Sequence, residues 1–386
     1  MAKKTLLTVN GAYRKAKKGF LTVDSTYRKV KKAYLTFGGV YRPCWSGGEL
    51  TYYGTVDALS AGVTNPAATG MNGYVLFAGG KKETGTGTSG YSSIIDAYDT
   101  SLTKHAAGNL LYPFTYVSAT SLNDLSFFAG GSKGSSDKTN SVTVVNTSLS
   151  SSQVSTRMAS SLDDLAATTV GNHAIFGGGI PVGGGYSSMV VAYNSSLTRE
   201  DMTKFAKSIG RRGATTVGNH AIFAGGIYGA VNLSYGTDID VYDSSLTKVT
   251  TSIALTTGRG FVRGSTVGKY AIFAGGNSFS TKLDAVDVFD SSLTKIESVS
   301  SLSEARTAIG ATRTSACALF IGGETADNDS AVIDAYDENL TLFNPQPLPK
   351  GRSAHGVAST EDIVFIGGGQ NANSGYLSMV EVYKYV

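Results

Sequence analysis

The sequence predicts an all-β fold, built from seven copies of one four-stranded unit and preceded by a small basic segment with hairpins of its own. Three observations predict it. The decapeptide ATTVGNHAIF occurs twice, letter for letter, at residues 167–176 and 214–223. A Phe-x-Gly-Gly signature recurs at Phe77, Phe128, Phe176, Phe223, Phe273, Phe320 and Phe365, with gaps of 51, 48, 47, 50, 47 and 45 residues. Between these marks no stretch has the 3.6-residue apolar period of a helix. A whole duplication of this kind fits a unit that stacks on copies of itself better than it fits a catalytic motif.

Each element of the unit follows from local chemistry. A strand of small residues (GATTV, 213–217) meets a turn at Gly-Asn and returns as the apolar strand HAIFAGG. The double glycine lets the backbone bend and approach its neighbours where a Cβ would clash. After a polar loop comes an alternating strand, IDVYD, and then a tight turn at Asp-Ser-Ser, whose side chains hydrogen-bond nearby backbone groups. The fourth strand is expected over 246–255, LTKVTTSIAL. Four short strands per period of about fifty residues is the pattern of a β-propeller blade. The seventh unit stops at Val386, after its third strand. Residues 50–59, LTYYGTVDAL, match LTKVTTSIAL at five of ten positions, and Leu50 precedes Phe77 by the same 27 residues that separate Leu246 from Phe273. That segment is therefore expected to complete the seventh blade and close the ring, which removes an exposed sheet edge.

Phe/Ile-x-Gly-Gly followed by a Tyr-Asp turn resembles the kelch repeat, over residues 50–386. The resemblance implies a seven-bladed kelch-like propeller, and it extends to Arg259, Arg306 and Arg352, which stand about where kelch repeats often carry an Arg. One departure is clear. Kelch repeats usually have a Trp six residues after the Tyr, where this chain has Lys248 and Lys295, and the only Trp is Trp45, outside the repeats.

Charge divides the chain. Residues 1–45 hold eleven Lys and Arg against one acid, Asp24, a net +10; the remaining 22 basic and 28 acidic residues give −6, which sums to the +4 of the whole. The basic segment repeats with a period of 14: LTVNGAYRKAKKGF, LTVDSTYRKVKKAY, LTFGGVYRPCW. Asn-Gly, Asp-Ser and Gly-Gly between β-prone runs predict tight hairpins, with Tyr13, Tyr27, Tyr41 and Arg14, Arg28, Arg42 in register. Residues 46–49 read as a linker. This segment resembles the basic Val-Asn-Gly-x-Tyr hairpin repeats at the ends of structural proteins in phages of Gram-positive bacteria. The resemblance implies an anchor on a particle through Tyr13, Arg14, Lys17, Lys18, Tyr27, Arg28, Lys31, Lys32, Tyr41 and Arg42. The start, MAKKTLLTV, lacks the apolar core of a signal peptide, and no run reaches the ~18 apolar residues of a membrane span. Cys44 and Cys317 predict no disulfide framework.

Catalytic chemistry is not found. The histidines are His105, His173, His220 and His355; His173 and His220 share one repeat position that other units fill with Tyr, Asp or Cys, which reads as a turn position rather than a metal pair. Glycines at 182–188 follow a strand but open no helix, so they make no phosphate cradle. Asp-Asn-Asp-Ser at 327–330 lacks the remaining ligands of a calcium loop. No cofactor and no metal are expected. What varies between units is the loop after the second strand, rich in Gly, Ser and Asn and marked by Tyr91, Tyr186, Tyr228, Tyr235 and Tyr376. Rigid aromatics among small polar groups have the composition of a recognition surface. Arg211 and Arg212 depart from the repeat and join this candidate ligand-binding face, whereas Arg259, Arg306 and Arg352 read as structural.

The expected function is that of a non-enzymatic phage virion protein, of tail or head fibre type. Its basic segment would bind other virion proteins, and its variable face a host-surface glycan or receptor, with neither nucleic acid nor membrane insertion expected. Two other classes remain open: a kelch-like propeller enzyme acting on carbohydrate, which would need ionisable residues converging at the axis, and an intracellular kelch adaptor for protein partners.

Overall fold

A computed structural model describes residues 49–83, 89–134, 136–229 and 231–386, together with the backbone of the strands within residues 20–46. Among the described residues the fold is all-β, made of many small antiparallel sheets without a helix. The chain divides into two compact units, one comprising Met1–Leu50 with Tyr385–Val386, the other Thr51–Lys384.

In the smaller unit, Phe20–Val23 pairs with Thr26–Lys29, and Lys32–Phe37 with Val40–Ser46. The two hairpins share one register: Thr22 faces Tyr27 and Thr36 faces Tyr41, with Val23 opposite Thr26 and Phe37 opposite Val40. The pairing repeats at the interval of 14 that the sequence shows. Arg28, Lys32 and Arg42 lie in these strands. Tyr13, Arg14, Lys17, Lys18 and Lys31 fall outside the described residues.

The larger unit contains seven four-stranded antiparallel sheets. The fourth is typical, with strands Gly213–Val217, His220–Ala224, Ile239–Asp243 and Lys248–Val249 in spatial as in sequence order. The seventh combines Gly356–Thr360, Ile363–Gly367 and Val380–Tyr385 with Leu50–Val56, from the far end of the chain. Two details differ from the sequence reading. The fourth strand is short, two residues in the fourth sheet rather than ten, because the chain leaves the sheet edge to begin the next unit. In the seventh sheet, Gly356 pairs with Gly367 as Gly213 pairs with Ala224, so Ile366, not Phe365, occupies the place of Phe223. The Phe-x-Gly-Gly match at Phe365 is one residue out of register.

The leading strands need small side chains because they run close together. Each lies against the leading strand of the next sheet, and that of the seventh against that of the first. A Cβ on Gly70 would collide with the carbonyl oxygen of Ser359, and one on Gly264 would lie 2.6 Å from that of Ala214. Hydroxyls fasten the seams: Thr120 to Thr169 at 2.8 Å, Thr168 to Thr216 at 2.8 Å, Thr215 to Thr266 at 2.7 Å and Thr312 to Ser359 at 3.0 Å. At the first-to-seventh seam Thr360 donates to the Met71 carbonyl.

Second and third strands supply the core. Tyr98, Tyr193, Tyr242, Tyr336 and Tyr383 are fully buried. Each phenol donates to a carbonyl well upstream, of Asp57, Thr156, Thr203, Ser300 and Pro347 respectively, which satisfies its one polar atom. The following turn works as its residues predict: Asp243 Oδ1 accepts from the amides of Ser245 and Thr247, and Asp290 from those of Ser292 and Thr294. Less expected is the residue that completes it. Leu102, Leu149, Leu197, Leu246, Leu293 and Leu340 all have φ between 58° and 69°, a left-handed conformation that usually falls to Gly or Asn. Their side chains pack against the core, as Leu246 and Leu293 do, and this burial offsets the backbone strain.

Deleting residues 50–56 should expose the edge of Val380–Tyr385 and remove the Tyr52–Tyr383 ring contact (5.3 Å between centroids). We expect Tm to fall by about 10 °C or more, on ~2–4 °C per kcal/mol for a domain of this class. Deleting residues 1–45 should change it far less. Thermal melts of the two truncations check this, and equal midpoints would refute it.

Candidate functional site

Four sheets carry a buried guanidinium from the loop that leads into them. Arg259, Arg306 and Arg352 contact Asp287 at 2.8 Å, Asp334 at 2.5 Å and Glu381 at 2.8 Å, with both partners fully buried. In the register of each sheet the acid stands opposite the Phe-x-Gly-Gly aromatic or its equivalent: Asp287 faces Phe273, Asp334 faces Phe320, and Glu381 faces Ile366. Arg212 belongs to this set, which corrects its placement on the ligand-binding face. It is 4 % exposed, contacts Asp240 at 2.5 Å, donates to the carbonyls of Phe223 and Asp238, and lies over the Phe205 ring at 4.5 Å. The set was hidden because Arg212 lies eleven residues before its Phe, whereas Arg259 and Arg306 lie fourteen before theirs.

Six residues after the Tyr or Phe of the third strand, the first sheet has Lys104, and Lys248 and Lys295 in the same place complete two of these clusters. Their ammonium groups lie 3.2, 2.7 and 2.8 Å from Asp96, Asp240 and Asp287. They also bond carbonyls of the preceding connection, at Ala58, Lys204 and Ala254. For Asp240 and Asp287 the lysine adds to the pull of the arginine. Burial acts to raise the Asp240 pKa, but Arg212 and then Lys248 outweigh it and hold the carboxyl below its usual range. For Asp287, burial is likewise outweighed, here by Lys295, Thr256 and Arg259. Glu381 faces Arg352 alone, and there burial prevails and raises its pKa.

The long loops after the second strands are not free loops. Several fold back as short hairpins, among them Ile227–Tyr228 with Ser234–Tyr235, Asn277–Ser278 with Thr281–Lys282 and Gln370–Asn371 with Gly375–Tyr376. Bridges from Gly210 to Ile227, Gly260 to Asn277 and Ser353 to Gln370 tie them to the lead-in loops, which places both on one face. Tyr91, Tyr186, Tyr235 and Tyr376 share one position in this scheme, each just before an amide that bonds the second glycine of its pair. They are half-buried rather than at the tips. A Cβ on Gly210 would lie 2.7 Å from the Tyr186 ring, and Tyr235 lies 4.8 Å from Phe279. Tyr228 stands apart, under the ammonium of Lys207 at 4.6 Å. The tips carry Val182, Val231 and Phe279, which are 52 %, 90 % and 67 % exposed.

A second set of residues on this face was not anticipated. Asn65, Tyr116, Asp164, Arg211, Phe261, Ala308 and Ala354 all have φ between 51° and 56°. Each stands twelve residues before the Phe-x-Gly-Gly aromatic or, in the seventh unit, before Ile366. Neighbours in this series bond through the backbone: Asp164 N to Tyr116 O, Phe261 N to Arg211 O, Ala354 N to Ala308 O and, from the first unit to the last, Asn65 N to Ala354 O at 2.7 Å. Arg211 Nε lies 3.4 Å from the Asp164 carboxylate, and its guanidinium lies over the Phe261 ring at 4.7 Å. Tyr116 is 42 % exposed. Burial raises the pKa of Asp164 against the pull of Arg211, and burial with the Asp164 charge raises that of Tyr116. Tyr186 is raised by burial and feels Arg211 and Asp164 as well. Among Arg211, Arg212, Arg259, Arg306 and Arg352, Arg211 is the one whose side chain is partly exposed. Constant spacing was the one signal for this series, since its residue types share no motif.

Elsewhere, a cleft lined by Leu59, Val63, Pro66, Phe77 and Asp96 encloses only about 10 Å³, far below the ~300 Å³ of a small-molecule site, and Asp96 is held by Ser60 and Lys104. His105 pairs with Asp99 at 2.8 Å and His173 lies 3.4 Å from Glu200. His355 is buried and pushed down to about 3, so it stays neutral. Burial raises the Cys317 thiol to about 11. Among the described residues no three His, Cys, Asp or Glu side chains converge as a metal site would require. A scan against protein-family models finds none that matches the chain. A search of curated proteins finds no match either.

Two outcomes follow. Arg212→Met leaves Asp240 buried beside Lys248 alone and should destabilise by about 3–5 kcal/mol, whereas Arg211→Met should cost under ~1 kcal/mol; urea unfolding of both variants separates them. Asp240 and Asp287 stabilise the fold above about pH 4, the unfolded-state value, and that contribution is lost as pH falls through their lower folded-state values. Lys295→Met should therefore move the acid-unfolding midpoint up, by about half to one pH unit, in a titration followed by circular dichroism.

Proposed function

We propose that the seven four-stranded sheets are blades of one closed, kelch-like propeller, completed by Leu50–Val56, and that the protein is a non-enzymatic component of a phage particle. In this reading residues 1–45 attach it to other virion proteins, and the face of lead-in loops and hairpins meets the host surface. The observation that carries the propeller is the left-handed series, one residue per sheet, linked from Asn65 to Ala354 across the first and last units. A binding face is supported by its composition: half-buried tyrosines at a shared position, apolar tips, the exposed Tyr116 and the partly exposed Arg211. Attachment rests on the net +10 of residues 1–45 and on the resemblance of their period-14 hairpins to phage structural repeats.

Reversing the charges of Lys17, Lys18, Lys31 and Lys32 to Glu should lower incorporation into particles at least about tenfold while leaving the melting of the larger unit unchanged, because surface charge contributes little to folding. Quantitative mass spectrometry of purified particles checks it. Normal incorporation of this variant would count against the anchor.

A further inference from the structure

A left-handed residue in every one of seven sheets is architectural, but the choice of residue is not. Asn65 and Asp164 are types that tolerate this conformation, whereas Tyr116, Arg211 and Phe261 are bulky side chains for which it is a genuine outlier. Strain kept where Asn or Gly would relieve it points to a role for the side chain. These residues are also consecutive. Tyr116, Asp164, Arg211 and Phe261 form one arc of the series, and the remainder is Ala308, Ala354 and Asn65. Bulk and charge thus gather on one side and leave room on the other.

We propose that this arc is the binding site for a neutral pyranose of a host glycan, an inference that rests on the reading of this face as a binding face. Asp164 accepts hydrogen bonds from sugar hydroxyls and Arg211 donates to neighbouring ones, a complement to the vicinal diol of a pyranose. The exposed Tyr116 and the partly exposed Phe261 offer flat apolar surface to the C–H face of the ring. Ala308 and Ala354 add no side-chain bulk on the opposite side of the series. An acidic sugar or a phosphate fits less well, because the Asp164 carboxylate at 3.4 Å already neutralises Arg211 and repels a second anion.

The test uses the full-length protein and saturation-transfer NMR with methyl glucoside, methyl mannoside, methyl galactoside and N-acetylglucosamine, each alongside glucuronate, galacturonate and N-acetylneuraminate. At least one neutral pyranose is expected to bind, and the acidic sugars are not. Tyr116→Asn, Asp164→Asn and Phe261→Asn should each weaken that binding about tenfold or more, while Ser245→Ala, in a third-to-fourth-strand turn, should not. Tyr116→Asn and Phe261→Asn should melt no lower than the parent, and about 1–3 °C higher if the strain is relieved, which separates lost recognition from lost folding. Binding of acidic sugars alone, binding that survives all three substitutions, or no binding to any pyranose overturns the proposal. Pull-down on intact host envelopes tells its failure from that of the broader reading. A Tyr116→Asn/Phe261→Asn variant that still binds envelopes sinks this site only, whereas a parent protein that does not bind them sinks both.

Discussion

How closely the leading strands approach one another is the constraint on which the larger unit depends. A Cβ at Gly70 or Gly264 would meet the backbone of the adjacent sheet, so these strands are rich in Gly, Ala, Ser and Thr. The hydroxyls among them then reach across most of the seams, as Thr169, Thr216 and Thr266 do in succession. Few large or charged groups stand there, Arg263 and Arg313 at strand ends among them. Most are displaced outward into the second and third strands, where aromatics fill the core, and into the lead-in loops, where Tyr116 is exposed and Arg211 and Phe261 are partly so.

Charge inside the sheets follows a different logic. A buried guanidinium facing one carboxylate is a poor exchange for hydration, and Glu381, raised by burial despite Arg352, shows the strain. Where Lys248 or Lys295 adds a second, partly exposed cation, the same kind of acid falls below its usual range. These lysines also hold carbonyls of the connection between sheets. Six residues past the aromatic, these lysines therefore form an electrostatic brace between the sheet and the connection that precedes it.

Much of this was legible because repetition makes register visible. The four strands, the Asp-centred turns and the contribution of Leu50–Val56 to the last sheet all follow from the spacing of Phe-x-Gly-Gly. Errors arose where a local match competed with pairing, as at Phe365, or where geometry converged from another starting point, as with Arg212. The left-handed series stayed hidden for a further reason. Its seven members are alike in backbone angle but not in residue type, and a sequence displays types. Leu246 and its counterparts were equally opaque, since nothing in a leucine announces a positive φ that packing alone sustains.

The partnership between Leu50–Val56 and Val380–Tyr385 also has a temporal meaning. Thr51 donates to the carbonyl of Lys384, 333 residues away. At ~5–20 residues per second of translation, a strand made early waits roughly 15–65 s for its mate. During that interval six sheets can assemble one after another behind the ribosome while the seventh is half-made. Two nascent chains held side by side on one messenger would each offer the other the missing strand. Spacing between ribosomes, rather than anything in the finished molecule, would then govern how often copies emerge entangled.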